Sequence, residues 1–373
     1  MMPVVLCLLR SKLLRTVFIS SVLASCVERP VRQMIAAGPM EYATGFSFKD
    51  VGPCTELVVG GGADIHRYLL VPEGAQPCDR EGYTVIRTPV RKVVLSGTTQ
   101  LPWIEALGVS ESLAGFPDPR LIFSKAVTEQ VLQGSVVDAG GPSGLDPERI
   151  LSLKPDVVFS YPSKANREEW YFAHGIPVLI TREMEETHPL GRAEWIRLTG
   201  LLYGKEREAD SVFRFIRDRY LTLSSAIKSV EPAPTVITGI PYGGVWFMPG
   251  GRNFITILFR DAGFDYLWKE DSSTGTLRLG FEPVYLKARH ADFWIGVGQF
   301  TTMEGLTGYD TRFNTFGPVK SDKVFTYSLD AGLAVPNPYF EEATLRADLL
   351  LEDLIIIRNG KVEQKLNYYR QVR

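Results

Sequence analysis

The sequence predicts an α/β fold of two lobes joined by a single long helix, with a small N-terminal β preface, and three observations carry that expectation. In the stretch from Gly144 to Phe159, Asp146 suits a helix N-cap and Pro147 the first helical position. Ile150, Leu151 and Leu153 form one apolar face before Pro155 stops the turn. Val157, Val158 and Phe159 then run without alternation, as a strand buried on both faces of a parallel sheet does. The second observation is that Phe281 to Ile295 follows the same plan, with Glu282 at a helix start and Asp292 just before an apolar strand. Glu148 and Asp156 are eight residues apart and Glu282 and Asp292 ten, so the likeness is a structural echo and not a sequence repeat. The third is a stripe of Ala209, Val212, Phe213, Ile216, Tyr220, Leu223 and Ile227 at three- and four-residue steps. It predicts one amphipathic helix from Glu206 to Lys228, about 35 Å long.

Length and composition agree with a large folded body. The chain has 373 residues, 45% hydrophobic and 23% charged, which permits a sizeable core and favours two domains. A net charge of −2 without a basic block argues against nucleic acid as a partner, since counterion release needs clustered Lys and Arg.

Taken in order, residues 1–26 read as a signal peptide. Arg10, Lys12 and Arg15 precede the apolar run Val17 to Ala24, which is too short to span a bilayer. Leu23-Ala24-Ser25-Cys26 resembles the bacterial lipobox, in which Cys26 is diacylated and becomes the first mature residue. The alternative is an ordinary signal peptide. Lipidation implies a membrane anchor and an extracytoplasmic location in the bacterial cell envelope, periplasmic where that compartment exists. Cys54 and Cys78 are then the cysteines left in the mature chain, as one disulfide or as two free thiols.

Residues 27–90 read as a polar tether followed by the β preface. Its short strands are expected around Phe46 and Phe48, Thr55 to Val59, Tyr68 to Val71 and Tyr83 to Ile86. Residues 91–205 form the N-terminal, Rossmann-like α/β lobe. Val93-Val94-Leu95 opens it, and Ser96 to Gln100 sits at the carboxyl end of that strand, where open α/β sheets bind ligands. A helix from Pro102 to Leu107, strands at Leu113 to Phe116 and Gly175 to Ile180, and a helix from Pro189 to Leu202 complete the lobe. Residues 206–229 are the linker helix and 230–373 the C-terminal lobe. There Thr235 to Ile240 restarts the α/β grammar, and Pro241 to Gly251 reads as a loop by its glycines yet is rich in large side chains. Asn253 caps a helix from Phe254 to Ala262, strands follow at Phe293 to Ile295 and Val324 to Thr326, and one helix from Tyr339 to Ile357 closes the chain.

Two α/β lobes, one long helix, a lipobox and a Glu at matching places in each lobe resemble the class III substrate-binding proteins of ABC importers, which receive iron chelates, haem or cobalamin. The motif that carries the likeness best is Asp146-Pro147-Glu148-Arg149-Ile150 followed by Leu153-Lys154-Pro155-Asp156. The resemblance implies a receptor, not an enzyme, with an ABC permease and its ATPase as partners. It further implies that Glu148 and Glu282 dock onto arginines of the permease. A carboxylate at a helix start is also favoured by the macrodipole alone, so the physics supports either role.

The expected ligand is a metal chelate, siderophore or haem, held in the inter-lobe cleft, with cobalamin as the alternative. No resident cofactor and no metal site of the protein's own is expected. Thr98, Thr99, Trp103, Tyr161, Tyr242, Trp246 and Phe247 are the candidate cleft residues, the aromatic ones for stacking on a flat or macrocyclic ligand. Arg252 is the candidate partner for its carboxylates. His66, His174, His188 and His290 lack metal-ligand spacing. An exported chelatase-type enzyme using His174 or His188 is the competing class, and an interaction lipoprotein with a vestigial cleft is a third.

Overall fold

A computed structural model describes residues 40–62, 64–76, 78, 80–141, 144–162, 168–227, 232–327, 335–361 and 363–373. The signal segment, Cys26 and the tether up to residue 39 lie outside the described residues. The described residues belong to one compact unit.

Two five-stranded sheets carry the α/β body. The first has the order Val178–Ile180, Val157–Ser160, Val93–Leu95, Leu113–Phe116, Val137–Asp138, every neighbouring pair parallel. The second has the order Asp265–Tyr266, Thr235–Ile237, Phe293–Ile295, Val324–Thr326, Arg370–Gln371, parallel except for the last strand. Val93, Val94, Leu95, Val157, Val158 and Phe159 are wholly buried, as unalternating apolar strands between two helical layers must be.

The echo between the halves has a physical basis. Asp146 accepts from the Glu148 and Arg149 amides, which starts the helix Pro147–Leu153, and Lys154 ends it in the left-handed region. At the following strand the Asp156 carboxylate accepts the Arg91 and Lys92 amides at 2.7 and 2.9 Å. In the second half Asp292 accepts the Thr235 amide and hydroxyl, each at 2.8 Å. In each lobe one aspartate therefore ties the strand it precedes to the start of the neighbouring parallel strand.

The helix Glu206–Ser225 follows the first sheet in the chain and precedes the second. It stops three residues before the expected end, and Lys228 itself lies outside the described residues. Asp210 pairs with Arg197 at 2.7 Å on one side of it. On the other, Arg219 pairs with Asp348 and Glu352, both at 2.7 Å, and Tyr220 donates to Asp261 at 2.7 Å. Helix ends are thus tied to elements from both halves by charge as well as by the buried stripe.

Ahead of the body, Phe46–Val51, Cys54–Gly61, Asp64–Pro72 and Thr84–Thr88 make a four-stranded sheet whose first three strands are antiparallel. A disulfide joins Cys54 to Cys78 across a Cα separation of 6.6 Å. Two buried carboxylates hold the chain leading into this sheet. Glu194 accepts the amides of Glu41, Tyr42 and Ala43, and Glu186 those of Thr44 and Gly45, at 2.8 to 3.0 Å.

Three expected elements differ. The helix from Pro189 to Leu202 is two, Pro189–Glu194 and Ile196–Tyr203, because Trp195 sits at a tightened turn and donates its indole proton to Glu186 at 3.0 Å. The closing helix is Pro338–Glu341, a 3-10 turn Glu342–Thr344 and then Ala347–Arg358; Arg346 leaves helical geometry to bond Asp348. The stretch Pro241 to Gly251 contains a hairpin, not only loop. Pro241–Tyr242 turns through Gly243 and Gly244, at φ 57° and 80°, into Val245–Pro249, which pairs with Thr276–Leu279.

Candidate functional site

The loop after Val93–Leu95 is built around a buried glutamine. Gln100 accepts the amides of Ser96 and Gly97 at 2.9 and 3.2 Å and donates to the Thr181 hydroxyl at 2.8 Å. This aims Thr99 at the Glu183 carboxylate, to which it donates at 2.6 Å, and at the Tyr161 hydroxyl. Gly97 is required beneath them, since a Cβ there would lie 2.5 Å from the Tyr161 ring. Burial raises the Glu183 carboxyl above the usual range, and burial together with that carboxyl raises the Tyr161 phenol.

Two adjoining cavities open from this point and share Thr99 and Met184. The first, about 280 Å³, lies between the halves: Thr99, Met184 and Arg192 face Phe254, Tyr327 and Tyr339. The second, about 330 Å³, is lined by Tyr161, Thr181, Arg182 and Glu185 from the first half alone. Tyr327 and Tyr339 stack with ring centroids 4.4 Å apart, and burial lifts the Tyr339 phenol to about 12. Two hydrogen-bonding groups cross between the halves at the rim. Thr98 donates to the Phe340 carbonyl at 3.1 Å, and Glu341 accepts the amides of Phe123 and Ser124.

Arg192 is the charged group of the first cavity. It is 7% exposed, stacks on Phe254 with its guanidinium carbon 3.3 Å from the ring centroid, and donates to the Met184 carbonyl at 2.9 Å. Its Nε has no hydrogen-bond partner among the described residues. Burial lowers its pKa to about 10, which leaves it cationic at neutral pH.

Of the residues expected at the cleft, Thr98, Thr99 and Tyr161 are brought together. Trp103 and Trp246 are not cleft residues: both are fully buried. Trp246 donates to the Thr238 carbonyl at 3.1 Å and packs among Phe281, Trp294, Phe313 and Phe316. An indole on the inward face of a hairpin strand fills the core beneath it. Tyr242, Phe247 and Arg252 are exposed and line neither cavity: the hairpin carries Tyr242 and Phe247 outward, and Arg252 sits in the turn that follows it. Arg192, Phe254, Tyr327 and Tyr339 are the residues the sequence did not single out. The signal for Arg192 was a basic residue inside the largely apolar segment Leu190 to Leu202.

Glu148 and Glu282 occupy equivalent places, each exposed in the first turn of its helix, Pro147–Leu153 and Phe281–Ala288. His188 accepts from the Leu190 amide as a helix cap, and His174 stacks on Trp170 at 3.9 Å. Both histidines have local structural employment.

Comparison with known proteins adds the following. Residues 93–314 match the family described as periplasmic binding protein. An uncharacterized lipoprotein of Methanocaldococcus jannaschii is 26% identical over 303 residues, 77% of this chain and 69% of that protein. A periplasmic heme-binding protein from Pseudomonas aeruginosa is 15% identical with a TM-score of 0.57, covering 76% of this chain and 98% of that one. The ABC-type Fe3+-hydroxamate transport system from Saccharomonospora viridis is 20% identical with a TM-score of 0.53, covering 73% and 94%. At these identities the two solved structures establish the fold.

Proposed function

The chain belongs to the periplasmic binding protein family, whose members bind solutes and are not enzymes, and we propose that it is the capture component of an ABC importer for an iron chelate. The observation that carries this reading is the cavity between the halves, walled by Arg192 and Thr99 on one side and by Phe254, Tyr327 and Tyr339 on the other. It sits where ligands are held in open α/β sheets, beside the carboxyl end of Val93–Leu95. Aromatic walls suit a flat or macrocyclic chelate, and the heme-binding and Fe3+-hydroxamate proteins of the same fold support that class. Glu148 and Glu282, both exposed at helix starts, are the docking carboxylates for a permease whose ATPase drives import. A lipid on Cys26 holds the receptor at the extracytoplasmic face of the membrane.

Purification from the native host followed by an absorption spectrum and metal analysis tests the ligand. Iron with a haem or ferric-siderophore spectrum is expected. A cobalamin spectrum would replace the iron chelate with the family's other cargo, and a preparation that converts the bound compound would overturn the receptor reading.

A further inference from the structure

Arg192 is an anomaly in energetic terms. A guanidinium has five N–H donors, and burying it without a counterion is unfavourable unless those donors are satisfied. Here the interactions are a bond to the Met184 carbonyl, a 3.8 Å approach to Met184 Sδ and the face of Phe254, while Nε is left without a partner. Among the described residues neither nearby carboxylate forms an ion pair with it: Glu186 accepts from Thr44, Gly45 and the Trp195 indole, and Glu183 accepts from Thr99 on one oxygen while the other is buried without a partner. Arg197, buried in the next helix, also leaves its Nε unpartnered but differs in its ion pairs, with Glu194 at 2.5 Å, Asp210 at 2.7 Å and Glu41 at 3.0 Å. Arg192 is thus a retained cation facing an apolar, aromatic cavity.

We propose that Arg192 is the specificity-determining residue of the cleft, and that the ligand is a largely apolar organic anion whose negative group is received by this guanidinium. The inference rests on the cleft being the ligand site and adds the charge class of what it accepts. Phe254 holds the guanidinium plane in place, so the fork is oriented before the anion arrives. The apolar wall strengthens the pairing because few waters compete within it. An electroneutral molecule of the same shape gains nothing from the cation and binds more weakly, which makes the site selective by charge as well as by ring shape.

The test uses two probes with one ring frame, 1-anilinonaphthalene-8-sulfonate, which is anionic, and N-phenyl-1-naphthylamine, which is neutral. Both are titrated by fluorescence into the full-length protein in detergent and into three variants. Arg192→Met is expected to weaken the sulfonate probe at least tenfold and the neutral probe less than twofold, with an unchanged or raised melting temperature. Arg192→Lys, which keeps the charge but not the fork, is expected to fall between, and it decides the matter if the methionine variant does not fold. Phe254→Ala is expected to weaken both probes, the sulfonate more than the neutral one because the guanidinium also loses its support. If Phe254→Ala lowers both affinities but the Arg192 variants treat the two probes equally, the arginine is structural and the charge assignment is overturned while the cleft stands. If Phe254→Ala changes neither, the probes bind outside the cleft, and both the cleft reading and this inference fail together.

Discussion

Glu341 accepts the Ser124 amide at 2.9 Å, with the neighbouring Phe123 amide on its other oxygen at 2.7 Å, so a single buried carboxylate bridges the two halves at the cleft rim. Burial, with the charges of Glu105 and Glu342 added, raises its pKa from 4.5 to about 7. Between those values the folded protein holds a proton that the unfolded chain has released. Stability is therefore greatest on the acid side and falls as pH rises through the window, by about 3 kcal/mol from this group. Thermal melts from pH 5 to pH 7.5 are expected to show the decline, and Glu341→Gln, which has no proton to lose, is expected to flatten it. An equally steep decline in the glutamine variant would assign the effect to other groups.

Trp246→Ala is expected to destabilise the fold by about 3 to 5 kcal/mol, since the indole fills a wholly buried site between Phe281 and Trp294. Denaturant unfolding measures the loss. The affinity of the folded fraction for its ligand is expected to remain that of the parent, because Trp246 lines neither cavity.

Glu148→Ala and Glu282→Ala are expected to leave ligand affinity and melting temperature near the parent values while reducing uptake by cells. Both side chains are exposed on helix first turns, and exposed positions of this kind seldom move stability by more than about 0.5 kcal/mol. Titration and a transport assay separate the two effects. Normal uptake in both variants would count against their role in docking.

Cys26→Ala is expected to release an exported, soluble protein, because the apolar run Val17 to Ala24 is too short to span a bilayer once acylation is blocked. Fractionation reads the outcome, and persistence in the membrane pellet after a salt wash argues against the lipid anchor.

The α/β architecture was legible because its signals are local. Asp146, Pro147 and Asn253 announce helix starts by the chemistry of their own backbone neighbours, and unalternating runs such as Val93-Val94-Leu95 announce doubly covered strands. The cleft was legible only at strand ends of the first half, through Thr98, Thr99 and Tyr161. Its opposite wall comes from Phe254, Tyr327 and Tyr339, which are 73 and 12 residues apart along the chain and meet only through tertiary packing. Trp246 misled for a related reason. A tryptophan among glycines reads as a ligand-facing loop, whereas a two-glycine hairpin turn sends the same indole inward.

The clamp on residues 41–45 determines where a pull on the amino terminus is felt. Glu194 and Glu186, which grip those amides, belong to the segment that carries Arg192 and leads into the helix Glu206–Ser225, and Glu41 is itself held by Arg197 and Arg217. Tension arriving along the chain at residue 40 is thus loaded onto the Arg192 side of the cleft, through Glu186, Glu194 and Arg197, and onto the long helix through Arg217.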